Sequence, residues 1–154
     1  MKALIQRVSE ASVTVEGKLK GSCKKGFLIL FCSVESDDKT DIPLLAGKVS
    51  KLRIFEDENG KMNKSILDIG GEVLCVSQFT LAADTRKGNR PSFMNAKDPE
   101  TAADYYDEFC KELKKQGIAK VEKGVFGADM KVSLVNDGPV TIMLDTSIWR
   151  KNGT

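Results

Sequence analysis

The feature that most constrains the fold of this chain is a short apolar run, Phe27 to Cys32, which Val34 extends. Apolar and polar residues do not alternate along this run, so it does not fit a strand with one face in water. The run is also far shorter than the roughly 20 residues that cross a bilayer. It therefore predicts a β-strand that is buried on both faces.

Two amphipathic helices are predicted in addition to this strand. Apolar residues recur at helical spacing over residues 42–52, and Thr40 or Asp41 is available as the N-cap. A second helix is expected over about residues 99–116, with Asp98 as its N-cap. Both helices have one apolar face, which predicts that this face is buried by packing.

Segments with strand character occupy much of the remaining chain. They cover residues 3–8, 12–15, 19–22, 52–55, 72–79, 130–135 and 140–145. A length of 154 residues fits one domain. We therefore expect an α+β fold, in which a single domain contains a largely antiparallel β-sheet or barrel and two main helices.

The chain contains no histidine, which excludes several kinds of site. A Ser-His-Asp or Cys-His centre cannot be built, and no imidazole is available as a base near neutral pH. The chain has 24 basic and 22 acidic residues, so its net charge is only +2. This balance predicts no strong overall attraction to nucleic acid or to a membrane.

The four cysteines are scattered and form no C-x-x-C pair; they are Cys23, Cys32, Cys75 and Cys110. A site made of four cysteines needs close pairs, so we expect no metal and no cofactor. The first seven residues lack the apolar stretch of a secretory signal. These features predict buried, reduced thiols in a cytoplasmic protein that has no membrane partner.

Two segments in the middle of the chain contain candidate functional residues. Residues 77–80 follow an apolar strand, and polar groups at the tip of a buried strand are well placed to line a site. The alternative is that Ser77 and Thr80 only satisfy backbone groups where the strand ends. Residues 85–93, together with Lys97, form a basic loop that fits either phosphate binding or an ordinary solvated surface.

A third candidate segment, residues 136–141, lies between the last two predicted strands. Its Asn, Asp and Gly residues are typical of a tight hairpin turn. However, Pro139 is unusual at the start of a strand, because proline has no N–H to donate to the sheet. If the Gly138–Pro139 bond were cis, both main-chain carbonyls could point in one direction.

Six segments together resemble the D-aminoacyl-tRNA deacylase (D-tyrosyl-tRNA deacylase) family, whose members remove D-amino acids mischarged onto tRNA. The resemblance covers about residues 1–145 and leaves residues 146–154 as a C-terminal tail. The sequence departs from many relatives at Ser33, near which they carry glycine. The matching segments are residues 3–8, 53–55, 60–63, 77–81, 90–93 and 135–141.

The resemblance implies a homodimer that acts on aminoacyl-tRNA, with two active sites at the subunit interface. Gly138 and Pro139 would enter the site of the partner as a Gly-cisPro element, held in orientation by Arg7. The carbonyls of this element would accept hydrogen bonds from the substrate α-ammonium, and an L side chain would collide with it. Asn136 and Thr141 are expected to bind substrate beside it. Glycine mischarged on tRNA-Ala is a further expected substrate.

For the chemistry, the resemblance implies a reaction centre at Ser77, Gln78, Phe79 and Thr80. Main-chain N–H groups there would form an oxyanion hole. Because a threonine without an adjacent base is a poor nucleophile, the ribose 2′-OH of the RNA is expected to help activate water. Phe126 and Met130 match family positions that pack around the terminal adenine.

Other interpretations remain open for these residues. Phe126 and Met130 would be core residues if spacing alone were considered. A non-catalytic dimeric RNA-binding module would use the loop at 86–97 and the lysines of the helices. A different kind of esterase is a third alternative, although such enzymes normally need a charge-relay base.

Overall fold

A computed structural model describes residues 1–150 of the chain. The described part contains two α-helices, α1 (Asp41–Lys51) and α2 (Pro99–Lys115), and short 3₁₀ turns at Phe79–Ala82 and Thr146–Ile148. None of its helices is long and apolar enough to span a membrane. The strands are β1 (Lys2–Val15), β2 (Lys18–Cys23), β3 (Gly26–Cys32), β4 (Phe55–Glu56), β5 (Met62–Lys64), β6 (Glu72–Ser77), β7 (Val121–Lys123) and β8 (Lys131–Asp145).

The main sheet is mixed, which corrects the prediction of a largely antiparallel sheet. Strand β1 pairs antiparallel with β2, β3 and β8, whereas β6 lies parallel to both β3 and β7. The chain passes through α1 between β3 and β6, and through α2 between β6 and β7. Parallel neighbours require crossover connections of this length, so the helices and the parallel pairs arise together.

The two ends of the sheet approach each other, so the sheet is nearly barrel-shaped. The backbone N–H of Ser22 in β2 donates to a carboxylate oxygen of Glu122 in β7 at 2.7 Å. A Cβ atom at Gly21 would lie only 2.7 Å from the main-chain oxygen of Lys123. Gly21 therefore lets the two strands lie close together.

Strand β3 is buried on both faces, as its unbroken apolar sequence predicts. On one face, Phe31 stacks on Phe109 of α2 with ring centroids 4.8 Å apart, and Phe27 stacks on Phe55 at 5.2 Å. On the other face, Leu28 belongs to a second buried cluster that includes Leu74. This double burial explains why the run tolerates no polar alternation.

The predicted helices are confirmed, and several strand boundaries differ. Asp98 caps α2 by accepting the N–H of Thr101 at 3.0 Å, whereas the side chain of Thr40 makes no capping bond on α1. Residues 3–8 and 12–15 form one continuous strand, β1. The strand expected at 72–79 ends at Ser77, where the chain turns into the first 3₁₀ segment.

Part of the predicted C-terminal tail packs against the domain through ion pairs. The α-ammonium of Met1 donates to Asp37 Oδ1 at 2.5 Å and to Thr146 Oγ1 at 3.0 Å. Arg150 donates to the carboxylates of Asp37 and Asp41. Both carboxylates are buried, so these cations offset the cost of removing them from water. Residues 151–154 of the tail lie outside the described residues.

Candidate active site

A pocket of about 640 Å³ opens where β3 and β6 end, between the first turn of α2 and the chain that leads into β8. Five of the predicted site residues line it: Ser77, Gln78, Phe79, Phe126 and Met130. Thr80 follows them in the 3₁₀ turn and is exposed, but it does not line the pocket. The structure thus brings together two segments that are about 50 residues apart in sequence.

Backbone hydrogen bonds fix the strand end that forms one wall of the pocket. The N–H of Gln78 donates to the carbonyl of Phe31 at 2.7 Å, which continues the pairing of β6 with β3 for one residue. The N–H of Leu81 then donates to the carbonyl of Gln78 at 3.2 Å and begins the 3₁₀ turn. Ser77 and Gln78 therefore lie at the hydrogen-bonded C-terminal end of β6, and Phe79 lies in the turn that follows.

The side chain that is hydrogen-bonded to the Thr80 hydroxyl, that of Gln78, cannot activate it as a base. Gln78 Nε2 donates to Thr80 Oγ1 at 2.6 Å, and an amide group does not accept a proton near neutral pH. Burial raises the pKa of the Cys32 thiol in the pocket wall to about 11, so this thiol is protonated at neutral pH. Ser33 also lines the pocket, and its buried hydroxyl has no hydrogen-bond partner among the described residues.

Phe126 and Met130 lie on opposite sides of a turn at Gly127, which has a positive φ of 77°. The ring of Phe126 lies 6.2 Å from the ring of Tyr106, measured between centroids, and remains 37% exposed. A Cβ atom on Gly124 would lie 2.7 Å from Met130 Sδ, so Met130 packs directly against the backbone there. Phe126 is thus an exposed residue, whereas Met130 is half-buried and packs against the second buried cluster.

The basic loop has fewer free cations than its sequence indicates. Arg86 pairs with Asp84 at 2.7 Å, and this guanidinium lowers the pKa of Asp84 to about 2. Lys97 Nζ donates to the carbonyls of Glu35 and Asp37 at 2.9 and 3.0 Å, so it holds the loop after β3 in place. Lys97 lines the pocket, but its ammonium is occupied by these carbonyls.

Phe93 and Ala102 line the pocket but were not predicted as site residues. Phe93 lines the pocket and packs edge-on against Phe79, with ring centroids 5.1 Å apart. Ala102 of α2 lines the opposite side. Phe93 lies in the basic loop at 85–93 and in the family segment at 90–93, but neither signal assigned it to the pocket.

Residues 136–141 form a bulge in one continuous strand, so the interpretation as a hairpin turn is wrong. Asn136 pairs with Val8 of β1, and Thr141 pairs with Gln6 of the same strand. The chain therefore runs in one direction on both sides of the bulge, and residues 137–140 lie opposite Arg7 alone. The peptide bond between Gly138 and Pro139 is cis.

The buried side chain of Arg7 anchors the bulge to the rest of the domain. It is 7% exposed; its Nε donates to the carbonyl of Asp137 at 2.9 Å, and its Nη1 donates to the carbonyl of Ile54 at 2.7 Å. A Cβ atom on Gly138 would lie 3.1 Å from Arg7 Nη2 and 2.8 Å from Val140 Cγ2. Gly138 is thus held by close neighbours and also has a φ of +144°, which favours glycine.

Asn136 and Thr141 close the base of the bulge. Asn136 Oδ1 accepts the N–H of Val140 at 2.8 Å, and its Nδ2 donates to Thr141 Oγ1 at 2.9 Å. These two hydrogen bonds engage both the oxygen and the nitrogen of the Asn136 amide. Asn136 and Thr141 therefore stabilise the backbone conformation of the bulge. Gly138 and Pro139 themselves are exposed.

Within the described part of one chain, the pocket and the bulge are separate. Neither Arg7 nor any residue of 136–141 lines the pocket. One chain therefore does not bring together all the residues that the sequence predicted as a single site.

The model of the protein family described as D-Tyr-tRNA(Tyr) deacylase matches residues 4–145. The chain belongs to this family. It is therefore an enzyme of the hydrolase class, and the family predicted from the six segments is confirmed. The match covers both the pocket and the bulge.

Relatives named D-aminoacyl-tRNA deacylase match nearly the whole chain. The protein from Bacteroides thetaiotaomicron is 56% identical over 146 residues, which is 95% of this chain and 97% of that protein. The protein from Ruegeria pomeroyi is 57% identical over 145 residues, which is 94% of this chain and 99% of that protein.

Two solved structures share the fold. A structure titled "c-Myc DNA Unwinding Element Binding Protein" has a TM-score of 0.89 and 42% identity, and the match covers 94% of this chain and 98% of that chain. A structure of a probable eukaryotic D-amino acid tRNA deacylase has a TM-score of 0.80 and 17% identity, and the match covers 93% and 97%. The second likeness, at this identity, concerns the fold alone.

Proposed function

We propose that the protein hydrolyses the ester bond of D-aminoacyl-tRNA and releases the free D-amino acid and tRNA. The observation that carries this proposal is the match of the family over residues 4–145, which includes the strand end at 77–79 in the pocket. Relatives above 50% identity that bear the name of this activity support it. Because the substrate is a component of translation, we place the enzyme in the cytoplasm.

The proposal requires a homodimer, because one chain keeps the pocket and the bulge apart. Strand β8 supports a contact with a second copy: among the described residues it pairs only with β1, so its other edge has unpaired N–H and C=O groups. Val135 and Met143 on β8 are 50% and 46% exposed, which leaves apolar surface for a partner to cover. The bulge of each copy then completes the pocket of the other.

Selection for the D-amino acid follows from the rigidity of the bulge. Carbonyl groups at Gly138 and Pro139 accept hydrogen bonds from the substrate α-ammonium, and Arg7 fixes the bulge through the carbonyl of Asp137. An L side chain would collide with this backbone, whereas a D side chain points to open space. Glycine has no side chain to collide, so glycine mischarged on tRNA-Ala is also hydrolysed.

Catalysis in this proposal relies on positioning. The ribose 2′-OH next to the scissile ester helps to activate water, and N–H groups near Phe79 and Thr80 stabilise the oxyanion. Phe126 and Met130 bind the terminal adenine. The hydrogen bond from Gln78 to Thr80 supports this assignment, because it gives the Thr80 hydroxyl no base.

A deacylation assay with tRNA charged with D-tyrosine or L-tyrosine tests the proposal. We expect rapid release of D-tyrosine and release of L-tyrosine at the rate in buffer alone. Equal hydrolysis of both would contradict selection by the bulge. The alternative, a non-catalytic RNA-binding module, predicts that both charged tRNAs bind and that neither amino acid is released.

A further inference from the structure

Gly124, directly after β7, packs against a wall of the pocket. Its ideal Cβ would lie 2.7 Å from Met130 Sδ and 3.6 Å from Val76 Cγ2. Its φ is outside the left-handed region, so the backbone conformation does not require glycine. The close approach of the Met130 thioether is therefore the constraint that a side chain at position 124 would violate.

The residue that supports Phe126, Tyr106, is bonded to the same main-chain oxygen as Gly124. Gly124 N–H donates to the carbonyl oxygen of Cys75 at 3.2 Å, and Tyr106 OH donates to that same oxygen at 2.5 Å. Tyr106 is 2% exposed, and its ring packs behind the ring of Phe126. A carbonyl oxygen has two lone pairs and can accept both hydrogen bonds, so the oxygen of Cys75 in β6 positions Gly124 and Tyr106 together.

We propose that Gly124 is a positioning residue that sets the width of the part of the pocket that Phe126 and Met130 line, here called the gap, and so the ability of the pocket to accept a flat purine base. This inference rests on the proposed function, in which that gap binds the terminal adenine. Without a side chain at 124, Met130 lies back against the end of β7. The space in front of its sulfur is then left for the base.

A methyl group at position 124 would move the wall of the pocket. An ordinary contact to the Cβ begins at about 3.4 Å, so the sulfur must retreat by about 0.7 Å from its present 2.7 Å. Methionine has a flexible, unbranched side chain, so it adjusts more easily than the strand does. The displaced thioether then narrows the gap, while the fold is largely retained.

Gly124→Ala tests this inference, and Gly47→Ala is its matched control. A Cβ on Gly47 in α1 would meet nothing within 4 Å, and its φ is not left-handed. For Gly124→Ala we expect the KM for D-Tyr-tRNA to rise about tenfold, with a smaller change in kcat and little change in melting temperature. Gly47→Ala should leave KM unchanged. A Gly124→Ala variant with unchanged KM would overturn the proposal.

A double variant separates positioning from a general packing defect. In a Met130→Ala background, the sulfur is absent, so Gly124→Ala should have almost no further effect on KM. If Gly124→Ala raises KM equally in both backgrounds, Gly124 does not act through Met130 and the inference is wrong.

Binding of adenosine 5′-monophosphate, measured by calorimetry, distinguishes failure of this inference from failure of the proposed function. We expect Gly124→Ala to weaken this binding about tenfold and Gly47→Ala to leave it unchanged. If the native enzyme releases no D-tyrosine but the binding data follow this pattern, the proposed function fails and the purine site stands. If both variants bind the nucleotide as the native protein does, the inference is overturned whatever the activity.

Discussion

The pocket and the Gly138–Pro139 bulge differ in how their polar groups are used. In the pocket, the buried Ser33 hydroxyl has no hydrogen-bond partner among residues 1–150, and there is a space of about 640 Å³. At the bulge, Arg7 and Asn136 each hold one main-chain group, the carbonyl of Asp137 and the N–H of Val140, while Gly138 and Pro139 are exposed. The pocket thus has space for a ligand, whereas the bulge is a rigid backbone segment with no such space.

In the proposed function, this difference explains how a chain without histidine would act as a selective hydrolase. A rigid backbone element can reject one stereoisomer without recognising any particular side chain, and an RNA substrate brings a hydroxyl close to its own ester. The protein then needs accurate placement of groups more than it needs a base. Changes in the bulge should therefore have larger effects than changes to single hydroxyls in the pocket.

The largest effect is expected for Gly138→Ala. The new Cβ would lie 2.8 Å from Val140 Cγ2 and 3.0 Å from Val140 N, and the φ of +144° disfavours any L side chain. A displacement of about 1 Å in a positioning element can reduce the rate about 100-fold. We expect a loss of this size in kcat/KM for D-Tyr-tRNA. Gly60→Ala is the control, because Gly60 has a φ of +76° but open space around it.

Arg7→Met should affect both stability and selectivity. It removes the donors for the carbonyls of Asp137 and Ile54, and a hydrogen bond to a charged group contributes about 1.5–3 kcal/mol. Urea unfolding should show a loss of about 3 kcal/mol. The ratio of D-tyrosine to L-tyrosine release should also fall, because the bulge is no longer held.

Arg53→Met provides the comparison for Arg7→Met. Arg53 also makes two hydrogen bonds to one segment, the carbonyl and side-chain oxygens of Asn63 in β5, but it is exposed. We expect a cost below about 1 kcal/mol and an unchanged ratio of the two activities. Equal effects of the two substitutions would contradict a special role for Arg7.

Thr80→Ala should have a smaller effect on activity, below tenfold, because no base activates the Thr80 hydroxyl. By contrast, a tRNA with a 2′-deoxy terminal adenosine should be hydrolysed much more slowly than the natural substrate. Single-turnover rates measure both effects: the Thr80→Ala variant is assayed on the natural charged tRNA, and the native enzyme on the 2′-deoxy tRNA. If Thr80→Ala abolishes turnover while the deoxy substrate reacts normally, the threonine is the nucleophile and the RNA-assisted mechanism is wrong.

The smallest effect near neutral pH is expected from the thiols. Burial raises the pKa of Cys23 and of Cys32 from 9.0 to about 11 in the folded protein. Between pH 9 and 11 the unfolded chain therefore releases protons that the folded chain keeps, so the free energy of unfolding falls as pH rises. Below about pH 8 these thiols should contribute no pH dependence. Urea unfolding at pH 7.5 and pH 10, with a Cys23→Ala/Cys32→Ala variant as control, measures the difference.

Much of the fold was predictable because its signals are local. The apolar run at 27–32 indicated a strand buried on both faces, and Asp98 marked the beginning of α2. The parallel pairing of β6 was not predictable in this way, because it depends on where the crossovers through α1 and α2 return the chain. Periodicity within a strand does not specify its neighbours.

The candidate site was harder to predict, because its residues interact over long distances in sequence. The residues at 136–141 have the composition of a turn, and only their register against Val8 and Gln6 shows that they form a bulge. The roles of Gly124 and Phe93 depend on contacts with Met130 and Phe79, which lie in other segments. Such contacts leave no pattern in the sequence of either partner.

Subunit complementation tests most directly the central claim, that the pocket of one chain works with the bulge of another. Gly138→Ala disables the bulge, and Ala102→Phe fills the pocket; each variant must be folded and inactive alone. Mixed and reassembled in equal amounts, they should recover about a quarter of the native D-Tyr-tRNA deacylation, because half of the dimers would contain one intact site. No recovery, with mixed dimers demonstrated by mass spectrometry, would contradict the account.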